Sequence, residues 1–184
     1  VNMETLEKEV LYVTIHNSYT DIFFLILPLF EELSDLEYEK CLAAAIKFNL
    51  LDIVQFLIEE NLLNKPKSSL FINSAIYSEN FNIFIFLFNV DYINKELNEN
   101  VFYKLTKDKE TERVRFLLNN LKNYQFDFDK DIDNPIHAAI DNKDYHLVKD
   151  FLKYCLNNEI VNEDWFDNFN YHQEKVVKYI INLI

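Results

Sequence analysis

Apolar residues along the chain fall at i, i+3 and i+4 within segments of about eight to ten residues, a spacing that predicts amphipathic α-helices. The segments come in pairs separated by a short polar break, such as Phe48-Asn49 in one pair and Asn142-Lys143-Asp144 in another. Helices this short are not stable alone in water, so each must bury its apolar face against a neighbour. The pattern therefore predicts an all-α protein built from packed helical pairs.

The helical pairs are copies of one sequence pattern. The copy CLAAAIKFNLLDIVQFLI, which begins at Cys41, shares its apolar positions with FINSAIYSENFNIFIFLF, which begins at Phe71. The copies recur at intervals of about 30 to 34 residues, a period typical of solenoids, in which stacked repeats bury one another's apolar faces. We therefore predict an α-solenoid of stacked helix-turn-helix repeats that forms a single domain over 1–184. Its repeats lie near 10–27, 41–58, 71–88, 101–118 and 135–152, with a degenerate C-terminal cap over 160–184.

One copy resembles the ankyrin repeat. It reads NPIHAAI from Asn134 and ends in LVKDFL at Leu152, where the family has T-P-L-H-x-A-A, a short break and a V-V-x-L-L-L helix. The resemblance covers roughly 10–152 and implies stacked ankyrin-like repeats. It also implies that Pro135 opens a first helix and that His137 hydrogen-bonds the backbone of its own repeat's turn. A helical-pair solenoid of the HEAT or tetratricopeptide type is the alternative.

The chain departs from the ankyrin family in having no glycine. The family usually places glycine between the two helices, after the second helix and in the hairpin before the next repeat. In the copy near 41–58, Asn49 takes the first of these positions and Asn61 the second, and asparagine is the next best residue for a left-handed backbone. Three other copies have less suitable residues at the first position: Glu79, Lys109 and Lys143. The family's β-hairpin fingers are expected to be degenerate or absent in three connectors, which are interpreted as irregular loops: 62–70, 89–100 and 119–134.

Composition and charge exclude several classes of function. Without glycine the chain cannot form a GxGxxG or GxxxxGK[ST] phosphate loop, a nucleophile elbow or an EF-hand calcium loop. With 31 acidic residues against 18 basic ones, its net charge of −13 argues against nucleic acid as a partner, because phosphate contacts need a basic face. Its apolar stretches are shorter than the roughly 20 residues of a bilayer span, so no membrane insertion is expected.

The pattern offers no catalytic, metal or cofactor site, so we predict a protein that is not an enzyme and needs no cofactor. Cys41 and Cys155 fall within helical patterns and are predicted to be reduced core thiols of a cytoplasmic protein, or of one in the host cytoplasm if the chain is an effector or viral protein. The four histidines are too scattered for a zinc site. The segment DFDKDID at 127–133 lacks the glycine and the glutamate that an EF-hand loop requires, so it is interpreted as a solvated connector.

The candidate site is a surface that binds a partner. Ankyrin proteins bind along a concave face made by connector tips and the exposed side of each first helix, and the resemblance transfers this role to one residue per repeat. This row consists of Asn17, Phe48, Ser78, Asp108 and Asn142. Two apolar residues are further candidates: Ile85 lies in a segment at 81–88 that is apolar on nearly every side, and Trp165 lies in an aromatic segment that either anchors an interface or caps the array.

These observations predict a protein–protein interaction module without intrinsic catalysis, which binds a protein partner through its concave face. The acidic balance favours a partner with a basic patch. The alternative is a substrate-recognition segment of a larger enzyme or host-directed effector, because the chain begins at Val1 and not at a methionine. A third hypothesis is a scaffold that self-associates through the phenylalanine-rich third repeat.

Overall fold

The computed structural model describes residues 3–30, 33–59, 69–91, 93, 97–121, 126, 128, 134–160 and 170–182. The regular structure of these residues is entirely helical, which confirms the all-α prediction. The chain divides into two compact units, Val1–Glu96 and Leu97–Ile184. A single continuous array over 1–184 stays a prediction.

Ten of the helices form pairs, and the break within each pair falls inside one of the five sequence repeats. The helices described in unit 1 are α1 (Met3–His16), α2 (Thr20–Ile26), the short 3-10 helix η1 (Leu27–Leu29), α3 (Asp35–Lys47), α4 (Leu51–Glu59), α5 (Ser69–Ile76) and α6 (Phe81–Asn89). Those described in unit 2 are α7 (Glu99–Lys107), α8 (Thr111–Asn120), α9 (Pro135–Asp141), α10 (Tyr145–Asn157) and α11 (Tyr171–Ile181).

Asparagine side chains begin several of these helices. The Oδ1 atoms of Asn80, Asn98 and Asn134 accept hydrogen bonds from backbone N–H groups in the first turns of α6, α7 and α9, at 2.9, 3.2 and 2.7 Å. At the start of α11, the side chains of Asn170 and Gln173 each accept a hydrogen bond from the other's backbone N–H. Such caps satisfy N–H groups that have no partner within the helix, and each contributes about 1 kcal/mol.

In unit 1 the first helices of the pairs contact one another. α3 lies against both α1 and α5, while α4 lies against α6. Ala45 of α3 and Ala75 of α5 occupy equivalent positions in the sequence pattern and are fully buried, because only a small side chain allows helices to approach closely there. The interior around them is largely aliphatic, with Leu42, Ile46 and Ile53 fully buried.

In unit 2, α7 lies against α9 and α8 against α10, while α11 contacts α9 and α10. The interior differs from that of unit 1 because it contains a cluster of buried aromatic rings. The ring of Phe128 lies 5.2 Å from that of Phe102 and 5.3 Å from that of Phe151, both edge to face. Such contacts add about 0.5–1.5 kcal/mol beyond the burial of area. The cluster comprises Phe102, Phe126, Phe128, Phe151 and Tyr154.

A left-handed turn joins the two helices of a pair and recurs in both units. Ser18, Asn49, Lys109 and Lys143 have φ angles of 58°, 60°, 64° and 59° at the breaks after α1, α3, α7 and α9. The left-handed residue donates its N–H to the carbonyl three residues back, and the next residue donates to the carbonyl five residues back. This is a Schellman motif, which glycine usually ends. The predicted role of Asn49 is confirmed, and Lys109 and Lys143 also adopt the conformation despite their side chains.

The pair α5 and α6 is joined differently. Glu79, which the sequence places at the equivalent position, does not have a positive φ, so that prediction is wrong. Instead, the Ser78 hydroxyl oxygen accepts a hydrogen bond from the Asn80 N–H at 3.2 Å, and Asn80 in turn caps α6. A serine side chain that bonds its neighbouring backbone replaces the bonds of a left-handed turn.

Pro135 is buried at the first position of α9, where its missing N–H costs nothing and where the ankyrin resemblance places it. Most of the connectors 62–70 and 119–134 lies outside the described residues, as do 92 and 94–96 of the connector 89–100, and Asn61 lies wholly outside them. Their predicted conformations therefore stay predictions. None of the described helices is long and apolar enough to cross a membrane.

Candidate functional site

The residue just before each left-handed turn lies at the end of its helical pair. In unit 1 these residues are Asn17 and Phe48. The Phe48 ring packs on the imidazole of His16 from the preceding pair, with 4.8 Å between ring centroids. The ammonium of Lys47 lies 5.8 Å from the centre of the same ring. Asn17 is exposed, and its amide donates to the Val13 carbonyl at 2.7 Å. We call Asn17 and Phe48 the unit 1 tip.

Ser78, the third residue of the predicted row, is only 4% exposed, and its hydroxyl is bonded within the turn before α6. It therefore presents no side chain to a partner on this surface. Ser78 is assigned to the row because it stands at the equivalent position of its repeat. The position within the repeat does not show that the turn at Ser78 is of a different kind.

In unit 2 the row residues are Asp108 and Asn142, which we call the unit 2 tip. Asp108 is exposed, whereas the Asn142 amide donates to the backbone carbonyl of Thr106 at 2.7 Å and so links α9 to the end of α7. The Thr111 hydroxyl and the Asp144 carboxylate form a second link, 3.0 Å long, between the same two pairs.

A polar crevice of about 200 Å³ opens at the unit 2 tip. It is lined by Thr106, Lys109, Thr111, Asn142, Asp144 and Leu147. The exposed Lys107, Lys109 and Lys143 around it alternate with the exposed acidic residues Asp108, Glu110 and Asp141, so this tip carries charges of both signs. The crevice can accept one small polar side chain of a partner, whereas the unit 1 tip offers an aromatic ring.

The phenylalanine-rich helix α6 buries more of its surface than a single face. Ile83, Phe84, Leu87 and Phe88 are buried within unit 1. Ile85, the candidate from this helix, is half-buried, as are Phe81 and Phe86. Trp165 and most of the aspartate-rich segment at 127–133 lie outside the described residues, so their predicted roles have no structural counterpart here.

Sequence reasoning did not single out an apolar groove between α10 and α11 in unit 2. Its volume is about 620 Å³. The signal in the sequence is the spacing of His172, Lys175 and Tyr179, which recur every three or four residues along one face of α11. The groove is lined by Tyr145, His146, Lys149, His172, Lys175, Val176, Tyr179 and Ile180.

Burial shifts the pKa of two titratable groups, Cys41 and His137, in opposite directions. Burial, reinforced by the nearby Glu37, raises the pKa of the Cys41 thiol to about 12, so it remains protonated and unreactive at neutral pH. Cys155 is also a buried thiol, and neither cysteine forms a disulfide, as the sequence predicts. Burial lowers the pKa of His137, and the charge of Asp141 opposes that shift. Within the described ranges, no group of three or more His, Cys, Asp or Glu residues could hold a metal ion.

Comparisons with protein families, with curated proteins and with solved structures find no match to this chain.

Proposed function

We propose that this chain is a protein–protein interaction module of stacked ankyrin-like helical pairs, which binds a protein partner through the tips of those pairs and has no catalytic activity of its own. The observation that carries the proposal is the Schellman turn that recurs between paired helices in both units. The repeated turn places Asn17 and Asp108 on exposed ends of their pairs and leaves part of the Phe48 ring exposed, and exposed turn positions are free to vary for recognition.

The unit 1 tip supports the proposal because it combines an aromatic ring with polar neighbours. Phe48 is half-buried and packs on His16, so part of its ring is already in contact with the protein before a partner binds. A preorganised aromatic side chain loses little entropy on binding, and aromatic residues are frequent among those that dominate binding energy.

The charge of the chain limits the kind of protein partner that it can bind. A net charge of −13 attracts a protein with a basic patch over long distance and raises the rate of encounter. At the unit 2 tip, lysines and carboxylates lie side by side around the crevice, so both signs of charge are available to a partner there. We therefore propose a partner of mixed charge, in a reducing and hence cytoplasmic setting that suits the buried thiols Cys41 and Cys155.

Site-specific photocrosslinking tests the proposal with a matched pair of positions on α3 and its cap. p-Benzoylphenylalanine replaces Phe48 at the unit 1 tip in one protein, and in the other it replaces Leu36, which is 59% exposed in the first turn of the same helix. Each protein is irradiated in cytosolic lysate, and crosslinked products are separated and identified by mass spectrometry.

The proposal predicts a defined protein adduct from position 48 that is much weaker from position 36. Equal adducts from both positions would mean that the partner does not recognise the tip. Adducts from position 36 alone would move the interface to the opposite end of α3. If the purified protein turned over a substrate and a single polar substitution abolished that turnover, the proposal that the module lacks catalysis would be wrong.

A further inference from the structure

The apolar groove between α10 and α11 carries basic side chains on both of its helices. Val176 and the buried Ile180 line it, together with the ring of Tyr179, which is 66% exposed. Lys149 of α10 and Lys175 of α11 also line it, and no acidic residue does so among the described residues of its wall. A chain with a net charge of −13 therefore contains a local apolar surface that favours an anion.

The described carboxylates that lie near these lysines along α10 and α11 have other partners. Asp144 caps the start of α10, where it accepts a hydrogen bond from a backbone N–H. The Asp150 carboxylate pairs with Arg115 on α8 at 2.8 Å, and Glu174 pairs with Lys178 one turn further along α11. None of the three lines the groove, so they do not cancel its positive charge by direct contact.

A second cavity, which we call the polar cavity, lies between α8 and α10 and has a volume of about 790 Å³. His146 and Lys149 line both this cavity and the groove, so the two meet at these side chains. Arg115 and Lys153 line the polar cavity as well, and Asp150 is the one carboxylate among the described residues of its wall. Three cationic side chains thus surround one carboxylate, and the His146 imidazole can donate a further hydrogen bond.

We propose that the groove and the polar cavity together bind a small amphiphile with one alkyl chain and a phosphate head. The alkyl chain lies in the groove, and the phosphate lies where the two cavities meet, beside His146 and Lys149. A phosphate monoester carries a charge of about −1.5 to −2 and three acceptor oxygens, so it can use several cationic donors at once. This site is separate from the tips and goes beyond the proposed binding of a protein.

The dimensions of the groove favour a small molecule over a helical peptide. Sites for small molecules have volumes of about 300–1,000 Å³ and are mainly apolar with a few polar groups. The groove has this composition and a volume of about 620 Å³. Its α10 edge extends only over 145–149, which is about 6 Å along the helix axis, whereas a docked helix is about 10–12 Å wide.

Methyl NMR titration of the full chain with decyl phosphate tests the site, because the methyl groups of Val176 and Ile180 line the groove. Decyltrimethylammonium has the same chain with the opposite charge, and inorganic phosphate has a similar head without the chain. We expect decyl phosphate to shift both methyl signals with a Kd below about 1 mM. It should bind at least about tenfold more tightly than either control, although the net charge of −13 attracts the cationic amphiphile.

Two charge reversals test the location of the head. Lys149→Glu changes the charge where the groove and the polar cavity meet, and Lys104→Glu makes the same change at an exposed residue of α7 that lines neither. Both variants alter the net charge equally, so their difference reports the local contact. We expect Lys149→Glu to weaken decyl phosphate binding at least about tenfold and Lys104→Glu to change it by less than about twofold.

A second pair of variants tests the location of the alkyl chain. Tyr179→Asp places a carboxylate in the groove and should weaken binding at least about tenfold. Leu25→Asp makes a similar change on α2 of unit 1, at a residue 75% exposed, and should leave binding unchanged. Circular dichroism checks that all four variants fold, and because Tyr179 is mostly exposed, Tyr179→Asp keeps the test decisive if Lys149→Glu does not fold.

Three results would overturn the proposal. The first is the absence of a shift at Val176 and Ile180 up to about 1 mM decyl phosphate. The second is tighter binding of decyltrimethylammonium than of decyl phosphate, and the third is an equal loss in Lys149→Glu and Lys104→Glu. Inorganic phosphate that binds as tightly as decyl phosphate would remove the groove from the site. None of the substituted residues lies at a tip, so each outcome leaves the proposed protein interface untouched.

Discussion

Equivalent contacts between helical pairs are made by aromatic side chains in unit 1 and by charged side chains in unit 2. In unit 1, Phe24 on α2 meets Phe56 on α4 through their rings, at 5.2 Å between centroids. Counted along the sequence pattern, the same two positions in unit 2 are Arg115 on α8 and Asp150 on α10, which form an ion pair with 2.8 Å between Nε and Oδ2. The same helix-on-helix contact is thus made once by an aromatic pair and once by a charged pair.

The unit 1 tip and the unit 2 tip also contact the preceding pair through different kinds of side chain. Phe48 contacts the preceding pair through its ring, whereas its equivalent Asn142 does so through a hydrogen bond to the Thr106 carbonyl. The comparison teaches that the backbone arrangement of paired helices does not depend on one kind of side-chain contact. What the two units share is the spacing of buried apolar positions and the left-handed turn, and these are the features that the sequence pattern repeats.

The largest expected effect concerns the cluster of five buried aromatic side chains in unit 2, which is larger than the buried aromatic set of the described residues in unit 1, where Phe23 and Phe84 are fully buried. Phe102→Ala should reduce the free energy of unfolding by about 3–5 kcal/mol, because it opens a cavity beside Phe128 and Phe151. Urea denaturation measures the change. The neighbouring Tyr103 is only half-buried, so Tyr103→Ala should cost clearly less, and equal costs would show that the cluster is not tightly packed.

Double-mutant cycles measure the two equivalent contacts directly. The coupling between Phe24 and Phe56 should be about 0.5–1.5 kcal/mol and insensitive to salt. The side chains of Arg115 and Asp150 are 43% and 38% exposed, so their coupling should be about 0.2–1 kcal/mol and should fall in about 1 M NaCl. A charged coupling that exceeds the aromatic one and resists salt would reverse the comparison.

The left-handed turns offer a smaller test. A lysine at φ near +60° is strained where glycine is not, so Lys143→Gly should raise the free energy of unfolding by about 0.5–1 kcal/mol. Asn49→Gly should raise it less, because asparagine tolerates this conformation better. The control is Lys153→Gly, at an exposed position within α10, which should lower stability by about 1 kcal/mol. Destabilisation by Lys143→Gly would contradict the assigned turn.

The smallest expected effect is a pH dependence in unit 2. Burial lowers the pKa of His137, with Asp141 opposing, so below its ordinary value of 6.5 the unfolded chain binds a proton that the folded chain resists. Stability from this residue is therefore intact above about pH 6.5 and declines as the pH falls from there toward the folded pKa. His137→Gln should lose less stability than wild type between about pH 7.5 and about pH 5.5. Identical losses would show that His137 is not buried as described.

Much of the local structure could be predicted from the sequence because helical spacing and turn residues act over a few positions. The breaks at Asn49, Lys109 and Lys143 are examples. Ser78 and Glu79 could not be predicted, since a single serine hydroxyl changes the turn there.

Side-chain contacts between helical pairs could not be predicted from the sequence either. The bond from Asn142 to Thr106 depends on how α7 and α9 pack, and the groove between α10 and α11 joins residues separated by the segment at 161–169. The row of tip residues was predicted by counting along the repeats, which locates positions on the backbone and does not locate what their side chains touch.

The central claim, that the tips bind a protein partner, is tested most directly by affinity capture with three baits. They are the wild-type chain, the tip variant Phe48→Asp with Asn142→Arg, and the groove variant Tyr179→Asp, which changes a residue 66% exposed on α11. Proteins retained from cytosolic lysate are quantified by mass spectrometry after circular dichroism shows that all three baits are folded. The account predicts that a partner retained by wild type is retained equally by the groove variant and reduced at least about tenfold by the tip variant. A partner retained by the tip variant and lost by the groove variant would contradict the account and assign binding to α10 and α11.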